Sequence, residues 1–327
     1  MYTKYWNLTS SPFLNVDNPQ LLYPSEQLLE GIARLYYLID QERIAGMLTG
    51  GYGVGKTFLL TCLIKRTEKR KLPLVRVDAV PHGALPLARL ILSELRVATT
   101  EPITTLADAL MALQQHVMLN ARSGLERHIL LIDEAHYLSD DEGLYLLHFL
   151  CNLRLHTPQG DKPLFTLILV GIPDLAKAVQ SYESLHRRIQ LAWNLTPLSE
   201  TQTTEYVQHH MRESGGDIWS FSIEALHAIH RYTHGVPRSI NNLCDTALML
   251  GFAARVPTIT PDIIDQAAQD TELFAPPPDL AAPVPPPPVQ QASSPAIPQR
   301  SMTSPLSASS PLIPTAKSPY PPTPPTL

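Results

Sequence analysis

The residues best suited to chemistry lie in Gly50-Gly51-Tyr52-Gly53-Val54-Gly55-Lys56-Thr57, which sets two glycines, a lysine and a hydroxyl at the spacing G-x-x-x-x-G-K-[ST]. Such a loop holds phosphate: its glycines let backbone N–H groups close around an anion, and the following helix adds its positive end. Lys56 is expected to reach the β- and γ-phosphates of ATP, and the Thr57 hydroxyl to ligate Mg2+. The binding set is expected to run through Gly50, Gly51, Tyr52, Gly53, Val54, Gly55, Lys56, Thr57 and Phe58. The flanks agree with this reading. Gly46-Met47-Leu48-Thr49 reads as a short buried strand, and Phe58-Leu59-Leu60 with Leu63-Ile64 reads as one apolar helix face.

A second group of chemically useful residues closes the apolar run His128-Ile129-Leu130-Leu131-Ile132, which ends in Asp133-Glu134. Adjacent acids at the end of a buried strand are costly unless a cation or a reaction uses them. Asp133 is expected to share the Mg2+ held by Thr57, and Glu134 to polarise a water against the γ-phosphate. Asp133-Glu134-Ala135-His136 also spells the label of a helicase class, but no second sheet domain with an arginine-rich closing motif follows. Two further arginines stand out. Arg188, ahead of Arg187, is placed to serve as a finger toward a neighbouring subunit's γ-phosphate; the alternative is a solvated surface pair. Arg238, in Gly235-Val236-Pro237-Arg238, opens a helix from which it could reach back to the phosphates.

The elements that must position these groups alternate. Pro12, Pro19 and Pro24 keep residues 1–24 irregular, and Ser25 caps a helix carrying Leu28, Ile32, Leu35, Tyr36 and Ile39. Tyr23 or Phe13 would either cover the nucleotide base or anchor the core. Strands are expected at Leu74–Asp78, at His128–Ile132, at Phe165–Val170 and at Ile189–Leu195, with helices near 84–96, 105–121 and 141–153. Continuous apolar strands interleaved with helices imply a parallel sheet covered on both faces, with ligands at the carboxyl ends of its strands. After Pro197-Leu198-Ser199 only helices read, near 199–214, 222–233, 237–254 and 260–271. Ser199 and Gln202 form a capping box, and Pro261 takes the first position of the last helix.

Composition narrows the class. Eighteen of the 32 prolines fall within 276–327, a stretch whose only charges are Asp279, Arg300 and Lys317. That tail cannot bury enough apolar surface to offset ordering and is expected to be disordered or polyproline-like. Without it the chain carries 23 Lys+Arg against 29 Asp+Glu, a balance that does not advertise nucleic-acid binding. Cys62, Cys151 and Cys244 are far apart and odd in number, which fits a reducing cytoplasm and core packing. Neither a signal-peptide run nor a membrane-spanning run reads from the chain, so a cytoplasmic protein without direct membrane insertion is expected.

Taken together, the motifs resemble the general secretion pathway protein A (ExeA) branch of the AAA+ ATPases, including its shorter MSHA-pilus relatives. The matching residues are Pro12-Phe13 with Leu22-Tyr23, the loop from Gly50 to Thr57, and Leu130–Ala135. Leu169-Val170-Gly171, Pro173-Asp174-Leu175, Arg188-Ile189, Pro197-Leu198 and Gly235–Asn241 continue the match. The resemblance implies an α/β P-loop NTPase fold: a parallel five-stranded sheet sandwiched by helices, then a small all-α lid. Its expected limits are a leader and helix packing on the ATPase core over 1–43, the ATPase domain over 44–198, the lid over 199–272 and the tail over 273–327.

The same resemblance implies Mg-ATP hydrolysis by homo-oligomers with shared sites, Arg238 as the lid sensor and Arg188 as the finger. It also implies work on a secretion or pilus apparatus in the envelope. Ile172 departs from it, because relatives carry a polar residue, often Gln, at that strand end, which puts the first sensor in question. The tail replaces the membrane helix and peptidoglycan-binding domain of longer relatives; it reads as a spacer or as a ligand for a partner's groove. DNA is the alternative partner, as for transposition helpers of the MuB and TniB type. The feature favouring it is the basic run Lys65-Arg66-Thr67-Glu68-Lys69-Arg70-Lys71, which equally suits a helix C-terminus.

Overall fold

The computed structural model describes residues 2–15, 21–69, 73–81, 83–99, 102–122, 127–158 and 160–271, with only the backbone described at 66, 69 and 122. The proline-rich tail expected over 273–327 lies outside them, as do parts of the basic run at 65–71.

In chain order the elements are α1 (Tyr2–Tyr5), α2 (Glu26–Asp40), β1 (Ala45–Gly50), α3 (Lys56–Lys69), β2 (Leu74–Asp78), α4 (Ala84–Glu94) and α5 (Leu106–Arg122). Then come β3 (His128–Asp133), α6 (Asp141–Asn152), β4 (Arg154–Thr157), β5 (Gly160–Pro163), β6 (Phe165–Gly171), α7 (Pro173–Ser181), α8 (Glu183–His186) and β7 (Ile189–Leu195). Helices α9 (Glu200–Glu213), α10 (Ile223–Thr233), α11 (Pro237–Ala254) and α12 (Pro261–Asp270) complete the described part. Among the described residues no helix is long and apolar enough to cross a membrane.

Five strands form one parallel sheet in the order β2-β3-β6-β1-β7. Its central strands β1 and β6 are buried along their whole lengths, as strands covered on both faces must be. Successive side chains alternate between the faces. Leu130 and Ile132 of β3 join the core under α4, α5, α6 and α7, whereas Ile129 and Leu131 join the core under α2 and α3. The crossover from β1 to β6 and β7 leaves the carboxyl end of β1, with its phosphate loop, beside the carboxyl ends of both neighbours.

A separate core forms the helical domain of α9 to α12, built on Val207, Met211, Ile229, Ile240, Leu243, Cys244 and Leu248. Ser199 caps α9 through a full capping box, and Ser222 caps α10, each worth about 1 kcal/mol.

Three sequence expectations need correction. Residues 1–24 are not wholly irregular, because Tyr2–Tyr5 makes one helical turn; the prolines that exclude helix start only at Pro12. Residues 1–43 do not pack as a unit on the ATPase core. Helix α2 lies on the sheet through Leu35, Leu38 and Ile39, but Trp6, Leu8 and Phe13 are buried in the core of the helical domain. Trp6 is fastened there by its indole N–H, which donates to the Leu248 carbonyl at 3.0 Å. The chain between α6 and β6 also folds into an antiparallel hairpin of β4 and β5, where no strand was expected.

Candidate functional site

The loop after β1 and the first turn of α3 line an open cavity of about 400 Å³. Its walls include Tyr52, Gly53, Val54, Gly55, Lys56, Thr57 and Phe58, with Glu134 from the end of β3 and Arg238 from the start of α11. Three separate segments of the sequence therefore converge on one space. Its size falls in the range of roughly 300–1,000 Å³ common for small-ligand pockets.

Lys56 is buried at the cavity floor, and its Nζ donates to the carbonyls of Gly50 (2.9 Å) and Gly51 (2.8 Å). Tyr52, more than half exposed, holds its ring 5.8 Å from the same ammonium. Burial lowers the Lys56 pKa, and the carboxylates of Glu134 and Asp133 oppose that shift. Those two acids therefore lie close enough to Lys56 for their fields to be felt. Gly50, Gly51 and Asp133 are not among its walls.

Asp133 is 4% exposed, and both its oxygens are engaged. Oδ1 accepts from the Glu134 N–H at 2.9 Å, and Oδ2 pairs with Arg76 Nη2 at 2.9 Å. Sheet register explains the pair: Asp78 lies opposite Asp133, and Arg76 opposite Leu131, so all four residues share one face. The buried carboxylate of Asp133 is costly unpaired, and Arg76 pairs with it while its Nε stands 3.5 Å from Oδ1 of the largely exposed Asp78. Arg76 was not anticipated as a site residue. The available signal was an arginine two positions before an acid in an otherwise apolar strand.

Glu134 occupies the left-handed backbone region, with φ 51 and ψ 32, and starts a 3-10 turn over Ala135–Leu138. A non-glycine residue held there marks a geometry that the surroundings enforce. The turn places His136 Nδ1 3.3 Å from Glu134 Oε2.

The far end of the cavity is lined by Asn15 and Tyr23 from the leader and by Tyr206, His210 and Asn241 from the helical domain. Tyr206 OH donates to Asn241 Oδ1 at 2.9 Å, and Asn241 Nδ2 donates to Asn15 Oδ1 at 3.1 Å. His210 donates from Nδ1 to the Pro12 carbonyl at 2.8 Å, and burial brings its pKa down to about 4. Tyr23 thus borders the cavity, while Phe13 is 2% exposed and stacked on His210 in the core. Phe13 is an anchor and does not cover a base.

Arg188 is half-buried and lies outside the cavity, near His148 and Cys151 of α6, whose titrations its charge affects. Arg187 is exposed and paired with Glu183. Ile172 caps α7 without any side-chain hydrogen bond.

The backbone N–H groups of the loop and the positive end of α3 suit an anion such as phosphate, and the cavity beside them has room for a small ligand. The donor set fits Mg2+ as well, since the Thr57 hydroxyl and Asp133 carboxylate are hard oxygens of the kind that ion takes alongside phosphate oxygens. Asp133 must then share an oxygen already paired with Arg76 or with the Glu134 N–H.

Comparison with known proteins agrees with this reading. Residues 39–179 match a family model described as an AAA domain. The chain is 30% identical over 256 residues to general secretion pathway protein A of Aeromonas hydrophila, covering 77% of this chain and 45% of that protein. It therefore spans less than half the length of that relative. Among solved structures, Cdc6p of Pyrobaculum aerophilum superposes with a TM-score of 0.58 at 15% identity, covering 78% of this chain and 71% of that one. The ORC1 protein of Aeropyrum pernix, solved in complex with DNA, gives 0.58 at 16% identity, covering 80% and 69%. At such identities the likeness concerns the fold.

Proposed function

The chain belongs to the AAA+ ATPases of the general secretion pathway protein A family, and from that premise we propose that it binds Mg-ATP in the cavity between loop and helical domain and hydrolyses it. The observation that carries the proposal is the convergence of Lys56, Thr57, Glu134 and Arg238 on one cavity from three segments of the sequence.

In this reading the loop N–H groups and the positive end of α3 receive the phosphates, and Lys56 exchanges the Gly50 and Gly51 carbonyls for phosphate oxygens. Thr57 and Asp133 hold Mg2+, which when bound neutralises charge on the β- and γ-phosphates. Glu134 accepts a hydrogen bond from the attacking water and orients it. Arg238 senses the γ-phosphate and, through α11, ties its presence to the position of the helical domain. Tyr23, Tyr206 and Asn241 border the base.

Arg188 lies away from its own cavity, which supports a role toward the site of a second copy in a homo-oligomer. The likeness to general secretion pathway protein A supports a cytoplasmic ATPase that energises assembly of an envelope secretion or pilus apparatus. The alternative of a DNA partner draws on a basic run that lies partly outside the described residues.

Glu134→Gln tests the proposal. The variant is expected to bind ATP with unchanged affinity and to turn it over at least about 100-fold more slowly. Turnover at the original rate removes Glu134 from the reaction. Arg188→Ala is expected to lower turnover in the same assay while leaving ATP affinity intact.

A further inference from the structure

We propose that His136 is a positioning residue for Glu134, holding its carboxylate in the orientation that hydrolysis needs. This inference rests on the assignment of Glu134 to the attacking water. Glu134 Oε2 and His136 Nδ1 are both buried, and neither has a hydrogen-bond partner, yet they stand 3.3 Å apart. Two orphaned buried polar atoms cost more apart than together, and a small rotation of either side chain joins them. An Nδ1–H donor serves the pair with the imidazole neutral.

The surroundings leave His136 little freedom. Its side chain is 10% exposed, and its ring lies 4.3 Å from that of Tyr137. Its backbone N would lie 3.3 Å from a Cβ placed on Gly171, so the turn is packed tightly against the end of β6. The residues at that strand end, Gly171 and Ile172, carry no polar side chain. The left-handed backbone at Glu134 turns the chain so that a residue two positions on faces back toward it. One carboxylate oxygen is thereby held by imidazole, and the other is left to a water in the cavity.

The test uses the full chain, steady-state ATP turnover and calorimetric ATP binding. His136→Ala is expected to lower kcat about tenfold, with KM and ATP affinity within about twofold of the original. His136→Asn, whose amide can donate from nearly the same place, is expected to restore most of the rate. In a Glu134→Gln background the alanine change is expected to add nothing, since the group it positions is already gone. An unchanged kcat in His136→Ala, or an equal loss with and without Glu134, overturns the inference. Where His136→Ala lowers the melting temperature appreciably, the kcat of a folded His136→Asn or His136→Gln decides. Normal turnover in Glu134→Gln sinks the underlying assignment instead, and a chain without ATP turnover sinks both.

Discussion

The backbone N–H of Arg238, near the start of α11, donates to the Gly53 carbonyl of the phosphate loop at 3.2 Å. The helical domain is thus joined to the loop by a main-chain hydrogen bond, a direct physical link between the two. Gly53 permits the contact because its φ is +74 and because a Cβ there would lie 2.9 Å from Arg238 Cβ and 3.0 Å from Val236 Cγ1.

Gly53→Ala is therefore expected to push α11 off the loop. The chain should stay folded, since both cores are intact, but ATP affinity should drop about tenfold, the equivalent of one lost contact of about 1.4 kcal/mol. Calorimetry measures this directly, and unchanged affinity would mean that the loop and the helical domain are not coupled.

Gly235→Ala tests the contact between the turn before α11 and Leu198, which is buried in the core of the helical domain. Gly235 has φ +74, and a Cβ there would sit 1.8 Å from the Leu198 carbonyl oxygen. The Leu198 N–H in turn donates to the Gly235 carbonyl at 2.8 Å. The two segments cannot separate without losing that bond. The variant should lose about 3 kcal/mol or more, among the larger effects of single substitutions. Thermal melting followed by circular dichroism reads it, and a melting temperature within a degree or two of the original would contradict the close approach.

The sheet and its loop were legible because their signals are local. Buried parallel strands read as unbroken apolar runs, and the phosphate loop is a contiguous string with fixed spacing. The hairpin of β4 and β5 was not legible: Arg154-Leu155-His156-Thr157 and Gly160-Asp161-Lys162-Pro163 are short and mostly polar, and Pro158 argues against a strand. The position of Trp6, Leu8 and Phe13 was hidden for another reason. Their apolar character announces burial but not the core they join, which depends on contacts more than 190 residues away, such as His210 to Pro12. Arg76 and His136 became visible only when register and turn geometry set each beside an acid.

The acid side of the pH–stability curve carries a mark of His210. Its pKa in the folded chain is about 4, against an ordinary 6.5, so the folded protein keeps it neutral. Above pH 6.5 folded and unfolded forms are both neutral there, and the group contributes no pH dependence. Between pH 6.5 and 4 the unfolded chain takes up a proton that the folded chain refuses, so stability falls with falling pH by about 3 kcal/mol at most. His210→Leu should start less stable, having lost the bond to Pro12, but should decline less steeply over that window. Parallel melting-temperature curves for the two proteins would contradict the assignment.

Titration of the full chain with ATP and Mg2+ in a calorimeter, beside Lys56→Ala, tests the central claim most directly. The account predicts one site per chain for the original sequence and no measurable binding once Lys56 is removed. Equal affinity in the two proteins would show that the cavity between the phosphate loop, Glu134 and Arg238 is not where nucleotide binds.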